Sequence, residues 1–231
     1  MGLMRIVRLG ALVVTALAGC AAGAAGGLAG VHANLADLTG EFGRNAGQDG
    51  IGLSGEGWLP FSAASPVAVG LRCGYLNYGF ERESVPFVPS VPGVWVYIDR
   101  YNNLLFAQLL LRLQARGGAV RPYGEVLCGL NHLFTRTSVR SEWAFEEIAS
   151  SQNWDDTAFV WGGGVGTLIR VHQSGRSAVL IDIGGTGVQG GHARYLAKGG
   201  MTVEEGILYY DVQHTRTHFV LWRLGVMFEF H

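Results

Sequence analysis

A chain of 231 residues with 17 basic and 18 acidic side chains carries a formal net charge of −1, enough length for one domain and an export segment. Charged residues are 15% against 48% apolar ones, fewer charges than the roughly 25% of a soluble domain. With no Lys/Arg run, this balance excludes nucleic acid as a partner, and 36 glycines without a collagen-like period fit a β-protein.

The chain opens as an export signal. Arg5 and Arg8 form a basic start, and Leu9 to Ala18 form an apolar stretch. That stretch is shorter than the about 20 apolar residues a spanning helix needs. Two processing readings stand. Leu17-Ala18-Gly19-Cys20 is similar to a lipoprotein cleavage box, which would leave a lipidated Cys20 as the mature N-terminus. Alternatively, cleavage follows a small-x-small site, the latest being Val31-His32-Ala33. Residues 1–33 are therefore assigned to the signal and its Ala/Gly-rich tail, and 34–231 to the folded domain.

Beyond the signal, apolar residues recur with period 2, which marks strands with two unlike faces. A first strand is expected near Leu35 to Gly43, and a second over Ile51 to Phe61 with Glu56 on its polar face. From Val67 to Asn77, Val69, Leu71 and Cys73 oppose Gly70, Arg72 and Gly74. From Leu104 to Gln114, Leu105, Leu109 and Leu113 oppose Gln108 and Arg112. From Arg121 to Phe134, Val126, Cys128 and Leu130 oppose Glu125 and Gly129. From Thr157 to His172, Phe159, Trp161 and Val165 oppose Gly162, Gly164, Gly166 and Arg170. From Ser177 to Gly187, Val179, Ile181 and Ile183 oppose Asp182 and Gly184. The last run, His218 to Phe230, sets Val220, Trp222, Leu224, Val226, Phe228 and Phe230 against Arg223, Gly225 and Glu229.

The connections alternate in length. Ser62–Pro66, Ala115–Val120 and Gln173–Arg176 are short, whereas Phe80–Asn103, Thr135–Asp156 and Val188–Thr217 are long, with Arg44–Gly50 a modest loop. Transmembrane β-barrels combine short periplasmic turns with longer extracellular loops. The expected fold is an all-β, antiparallel up-and-down transmembrane barrel of about eight strands.

Residue size separates inside from outside. Glycines share the charged face, as suits a crowded eight-strand lumen, while Trp161 and Trp222 share the apolar face. Glu56, Arg72, Arg112, Glu125, Arg170, Asp182, Arg223 and Glu229 then face inward, where confinement favours a structural ion network. Tyr75, Tyr78 and Phe80, with Trp95, Tyr97 and Tyr101, predict one aromatic girdle; Trp58, Phe61, Phe228 and Phe230 predict the other. Cys73 and Cys128 fall outward on non-adjacent strands, too far apart for a disulfide.

Three segments carry a family resemblance. Arg121-Pro122-Tyr123-Gly124-Glu125-Val126 looks like the start of a middle strand. Phe159-Val160-Trp161-Gly162-Gly163-Gly164-Val165-Gly166 looks like a glycine-rich strand. Arg223-Leu224-Gly225-Val226-Met227-Phe228-Glu229-Phe230 is similar to a closing strand. Together they resemble the small bacterial outer-membrane β-barrel domain family, over roughly Leu35 to Phe230. The resemblance implies residence in the outer membrane, with outer-membrane lipid and the barrel-assembly machinery as partners. Phe228 and Phe230 resemble the C-terminal aromatic signal that this machinery reads, although His231 follows them.

Catalytic patterns are weak. His214 and His218, with Tyr210 and Asp211 nearby, lack the HExxH or CxxC spacing of a zinc centre. Barrels that deacylate lipid use a His and a Ser two apart; here the run is His214-Thr215-Arg216, and there is no GxSxG. The glycines at 162–166 continue into a strand rather than a helix, which excludes a phosphate loop. No catalytic residue, metal or cofactor is expected. The functional expectation is a structural or surface-interaction barrel with a plugged lumen, meeting a surface ligand through its long loops, among them the proline-punctuated 85–92. The alternatives are a small channel, a lipid-acting outer-membrane enzyme, or a lipid-anchored, lipocalin-like soluble binder.

Overall fold

The computed structural model describes residues 27–62, 65–86, 95–141, 147–175, 177–204 and 207–230. The export signal, Cys20 and His231 lie outside them. The elements in chain order are β1 (Leu28–Thr39), α1 (Gly40–Ala46), β2 (Gly50–Pro60), β3 (Val67–Pro86), β4 (Trp95–Gln114) and β5 (Val120–Ser141). They continue with β6 (Glu147–Ser174), β7 (Ser177–Gly190), β8 (His192–Glu204), β9 (Ile207–Arg216) and β10 (His218–Phe230). Eight of the strands close into a barrel in the order β1-β10-β7-β6-β5-β4-β3-β2, every pair antiparallel, while β8 and β9 form a separate two-stranded sheet. Closure leaves the barrel without an unpaired edge.

The period-2 pattern becomes two walls. Along β7, buried residues alternate strictly with half-buried or exposed ones. Val165, Leu53 and Trp161 are 70%, 68% and 61% exposed on the outer wall, whereas Arg72 and Arg112 are fully buried inside. The inner glycines make room for large inward rings. A Cβ at Gly70 would lie 2.5 Å from the Trp58 ring, one at Gly74 2.3 Å from Phe106, and one at Gly225 2.3 Å from His32.

Four expectations change. The first strand is Leu28–Thr39, so a boundary at residue 34 falls inside it, and a cut after Ala33 would remove half of β1. Its inner face alternates Leu28, Gly30, His32, Asn34, Ala36 and Leu38, and the first half of the strand lies in the segment assigned to the Ala/Gly-rich tail of the signal. The strand ends where Gly40 takes φ 66°, and residues 40–46 form α1, stopped by Gly47 at φ 65°. The predicted long loops are largely strand. β3 and β4 pair as far as Pro86 and Trp95, β5 and β6 as far as Arg140 and Glu147, and the third connection folds into β8–β9. Cross-strand ion pairs hold the first of these extensions: Arg82 stands opposite Asp99, and Glu81 opposite Arg100. Of the proline-punctuated 85–92, only Val85 and Pro86 are described, as the end of β3.

Trp58 and Tyr78 also depart from the girdle assignment, because both are buried inside the barrel, on the parity of Glu56 and Arg72. At the long-connection rim, Phe80 is exposed and lies 5.0 Å from Tyr101, and Tyr75 and Tyr97 are half-buried. At the turn end, Phe61 and Phe228 are exposed and Phe230 half-buried. The side chain of Trp95 lies outside the described residues. Cys73 and Cys128 are free thiols, half-buried and exposed.

Candidate functional site

The lumen is organised around Glu125 on β5. Its Oε1 accepts hydrogen bonds from Arg72 Nη2 at 2.8 Å, Arg223 Nη1 at 2.8 Å and the Thr186 hydroxyl at 3.1 Å. Its Oε2 accepts from Arg112 Nη2 at 2.9 Å. Arg72 also donates to Glu56 Oε2 through Nε at 3.1 Å and Nη2 at 3.0 Å. The Arg112 guanidinium lies between two rings, 3.7 Å from the Trp58 ring centre and 3.8 Å from that of Tyr123. Stacking a weakly hydrated planar cation on aromatic faces recovers part of the solvation lost on burial.

Asp182 on β7 extends the network. Its Oδ1 accepts the Tyr123 hydroxyl at 2.7 Å, and its Oδ2 lies 3.0 Å from His32 Nε2. The same His32 nitrogen lies 3.0 Å from Glu56 Oε1. Near the turn end, Arg121 Nη1 donates to Glu229 Oε1 at 2.7 Å. Arg72, Arg112 and Arg223 thus face Glu56, Glu125 and Asp182 inside a water-excluding wall, with His32 between two of the carboxylates.

Seven of the eight residues assigned to the lumen are buried there. Arg170 is half-buried near the turn end of β6, beside the register shift between Arg170 and His172, and makes no ion pair with a described residue. A bulge re-aims side chains and breaks the simple alternation. The residues the sequence reading omitted are His32, Arg121, Tyr123 and Thr186. Arg121 and Tyr123 share the parity of Glu125 and were open to detection on that ground. His32 was concealed in a segment read as the tail of the signal.

Could the network hold a metal? Ligand atoms of His32, Glu56 and Asp182 lie within 4.8 Å of one another. Arg72 and the Tyr123 hydroxyl already occupy these carboxylates, and Arg112 Nη2 stands 3.8 Å from Glu56 Oε2. A divalent cation would meet guanidinium charge on the same side, so the arrangement favours its internal partners.

Above the ion network the mouth is apolar. Phe42 of α1 is fully buried, its ring 5.3 Å from Tyr78 and 5.0 Å from Tyr195 of β8. The Tyr195 hydroxyl accepts a hydrogen bond from Asn45 at 3.1 Å and contacts Thr215 at 2.9 Å. The hairpin β8–β9 therefore packs one face against the helix that caps the barrel.

The distribution of charge decides between membrane and soluble barrels. Ionic groups are inside, and on β5 the exposed outer residues Val120, Val126, Cys128 and Leu130 span a height matching the about 9–11 residues of a membrane strand. A lipocalin would put this face inward around a ligand. The architecture is that of an outer-membrane β-barrel.

No protein-family model matches the chain, and no curated protein does. Among solved structures, the barrel is similar to Ail, the attachment invasion locus protein of Yersinia pestis, at 15% identity and TM-score 0.40, covering 89% of this chain and 97% of that one. Neisserial surface protein A aligns at 11% identity and TM-score 0.41, covering 88% and 96%. The N-terminal β-barrel domain of Pseudomonas aeruginosa OprF aligns at 14% identity and TM-score 0.35, covering 88% and 97%.

Outside the lumen, His214 is exposed on β9, its ring 5.3 Å from His192 on β8. Two positions from His214, where a lipid-deacylating barrel would carry serine, stands Arg216, while the Thr215 hydroxyl contacts that of Tyr195. His218 Nδ1 accepts the Gly190 N–H at 3.2 Å, which leaves Nε2–H as the donor of that ring. Elsewhere on the same rim, hydrogen bonds to the Asp99 carboxylate raise the Arg82 guanidinium above its usual value.

Proposed function

We propose that the protein is a non-conducting, non-enzymatic barrel of the outer membrane that displays β-hairpins as an interaction surface. The observation that carries this reading is the contrast between interior and rim. The lumen holds a dense network of buried ion pairs beneath an apolar cap, while β5 and β6 run to 22 and 28 residues. Crossing a bilayer uses only about 9–11 of them. A 22-residue strand rises roughly 70 Å, so much of each hairpin stands clear of the lipid. Long, paired hairpins present a surface without the ordering entropy of a flexible loop.

Export by the N-terminal signal and insertion through the aromatic end at Phe228 and Phe230 belong to the same reading. The test joins two measurements on protein refolded into lipid. An unboiled sample should run with altered mobility on SDS gel, and in planar bilayers it should add no single-channel steps. Regular conductance steps from the folded species would refute a plugged lumen. No mobility shift, with protein soluble in buffer, would refute the membrane barrel itself.

A further inference from the structure

The two ends of the barrel differ in the sign of their free charge. At the long-connection end Asp37, Glu41, Asp49, Glu83 and Asp155 are all exposed, interspersed with cations. At the turn end, below the lumen network, the one carboxylate among the described residues is Glu229, and Arg121 already donates to it at 2.7 Å. That leaves Arg116, exposed in the turn between β4 and β5, and Arg170, half-buried near the end of β6. Neither has an ion-pair partner among the described residues. His172, exposed, follows Arg170 across the bulge.

The backbone brings these two positions together. The Arg170 N–H donates to the Ala119 carbonyl at 2.7 Å, and Val120 pairs with Ile169, so the turn at 115–119 lies against the end of β6. Gly118, at φ 97°, reverses the chain there. The outer wall beside them is bare hydrocarbon: Leu113, Val120 and Val171 are 61%, 57% and 54% exposed. Cations at the edge of a lipid-facing belt stand at the level of headgroups, and short turns place them on the periplasmic leaflet. A phosphodiester there meets two guanidiniums with no free carboxylate to compete, and its acyl chains continue along the belt.

We propose that the turn end of the barrel, at Arg116 and Arg170, binds the phosphate of an anionic diacyl phospholipid of the periplasmic leaflet, of which phosphatidylglycerol is the simplest kind. The two guanidiniums supply the charge and the fork of donors, and Leu113, Val120 and Val171 supply the wall for the chains. The inference rests on the membrane-barrel reading and concerns the end opposite the displayed hairpins.

The test uses the full mature chain folded in phosphatidylcholine nanodiscs doped with phosphatidylglycerol. Native mass spectrometry reads the phosphatidylglycerol retained per protein. Each guanidinium beside an anionic surface contributes a factor of about five, so retention should fall about tenfold or more in the Arg116→Gln/Arg170→Gln double variant. The Arg116→Lys/Arg170→Lys variant should recover part of the binding, and salt should weaken it. Removing as many cations from the opposite rim, in Arg194→Gln/Arg216→Gln, should change retention far less. All four arginines lie outside the lumen network, so the heat-dependent gel shift should survive in every variant. Unchanged retention in the Arg116/Arg170 variant overturns the proposal, and an equal fall in the Arg194/Arg216 variant overturns it in favour of unspecific attraction to net charge. Complete displacement by glycerol phosphate in the buffer overturns it in favour of a soluble anion. Sedimentation with purified peptidoglycan that the Arg116/Arg170 variant loses, at unchanged lipid retention, assigns this end to cell-wall carboxylates and also overturns it. A lost gel shift in the wild-type chain would instead overturn the membrane barrel, so the two failures are distinguishable.

Discussion

Glu125→Gln isolates the charge of the lumen hub with almost no change in shape. Three guanidiniums, on Arg72, Arg112 and Arg223, lie within 2.9 Å of its oxygens. Charge centres about 4 Å apart attract by about 4 kcal/mol at an effective dielectric of 20. Desolvation of the four ions offsets most of this gross attraction. What remains on removing one partner is the penalty of uncompensated buried cations, about 3–5 kcal/mol. Glutamine adds a further conflict, because its amide N–H groups face donors. The assay is urea unfolding of the protein in zwitterionic vesicles, followed by tryptophan emission and by the unboiled gel band. Glu125→Gln should lose about 3–5 kcal/mol with the barrel still formed. Adding Arg112→Gln should return part of that loss, since it removes one excess cation, so the double variant is less unstable than the sum. A loss below about 1 kcal/mol for Glu125→Gln, or strict additivity, would refute a charge-paired lumen.

Val165→Arg places a cation at the most exposed apolar position, midway along the belt of β6, and should cost about 2–4 kcal/mol in vesicles. A neutral effect there would refute the inverted orientation. Gly70→Ala pushes a methyl group against the Trp58 ring, which the Arg112 stack holds in place, and should cost about 1–3 kcal/mol by the same unfolding assay. Wild-type stability would mean that Trp58 does not occupy the lumen. Phe42→Ala removes the centre of the cap and should cost about 3–5 kcal/mol, yet bilayer recordings should remain silent because the ion network lies beneath it. Open-channel steps in this variant would make α1 the only barrier.

The sequence by itself determined which strand face is charged and which is apolar. Side chains alternate with a fixed period, so Arg72, Glu125 and Asp182 share the inner wall as a matter of parity. The alternation of short and long connections set the strand polarity in the same local way. Tertiary structure decided who meets whom inside. His32 and Asp182 are 150 positions apart, on β1 and β7, and come within 3.0 Å only because the closed sheet fixes the register of every strand at once. Parity could not show that Gly70 and Gly225 clear space for Trp58 and His32, because that depends on the stagger between neighbouring strands. Nor could it place Arg170, where a bulge interrupts the alternation, or turn the segment after Gly40 into a cap. Period is a property of one strand, whereas the lumen is a property of closure.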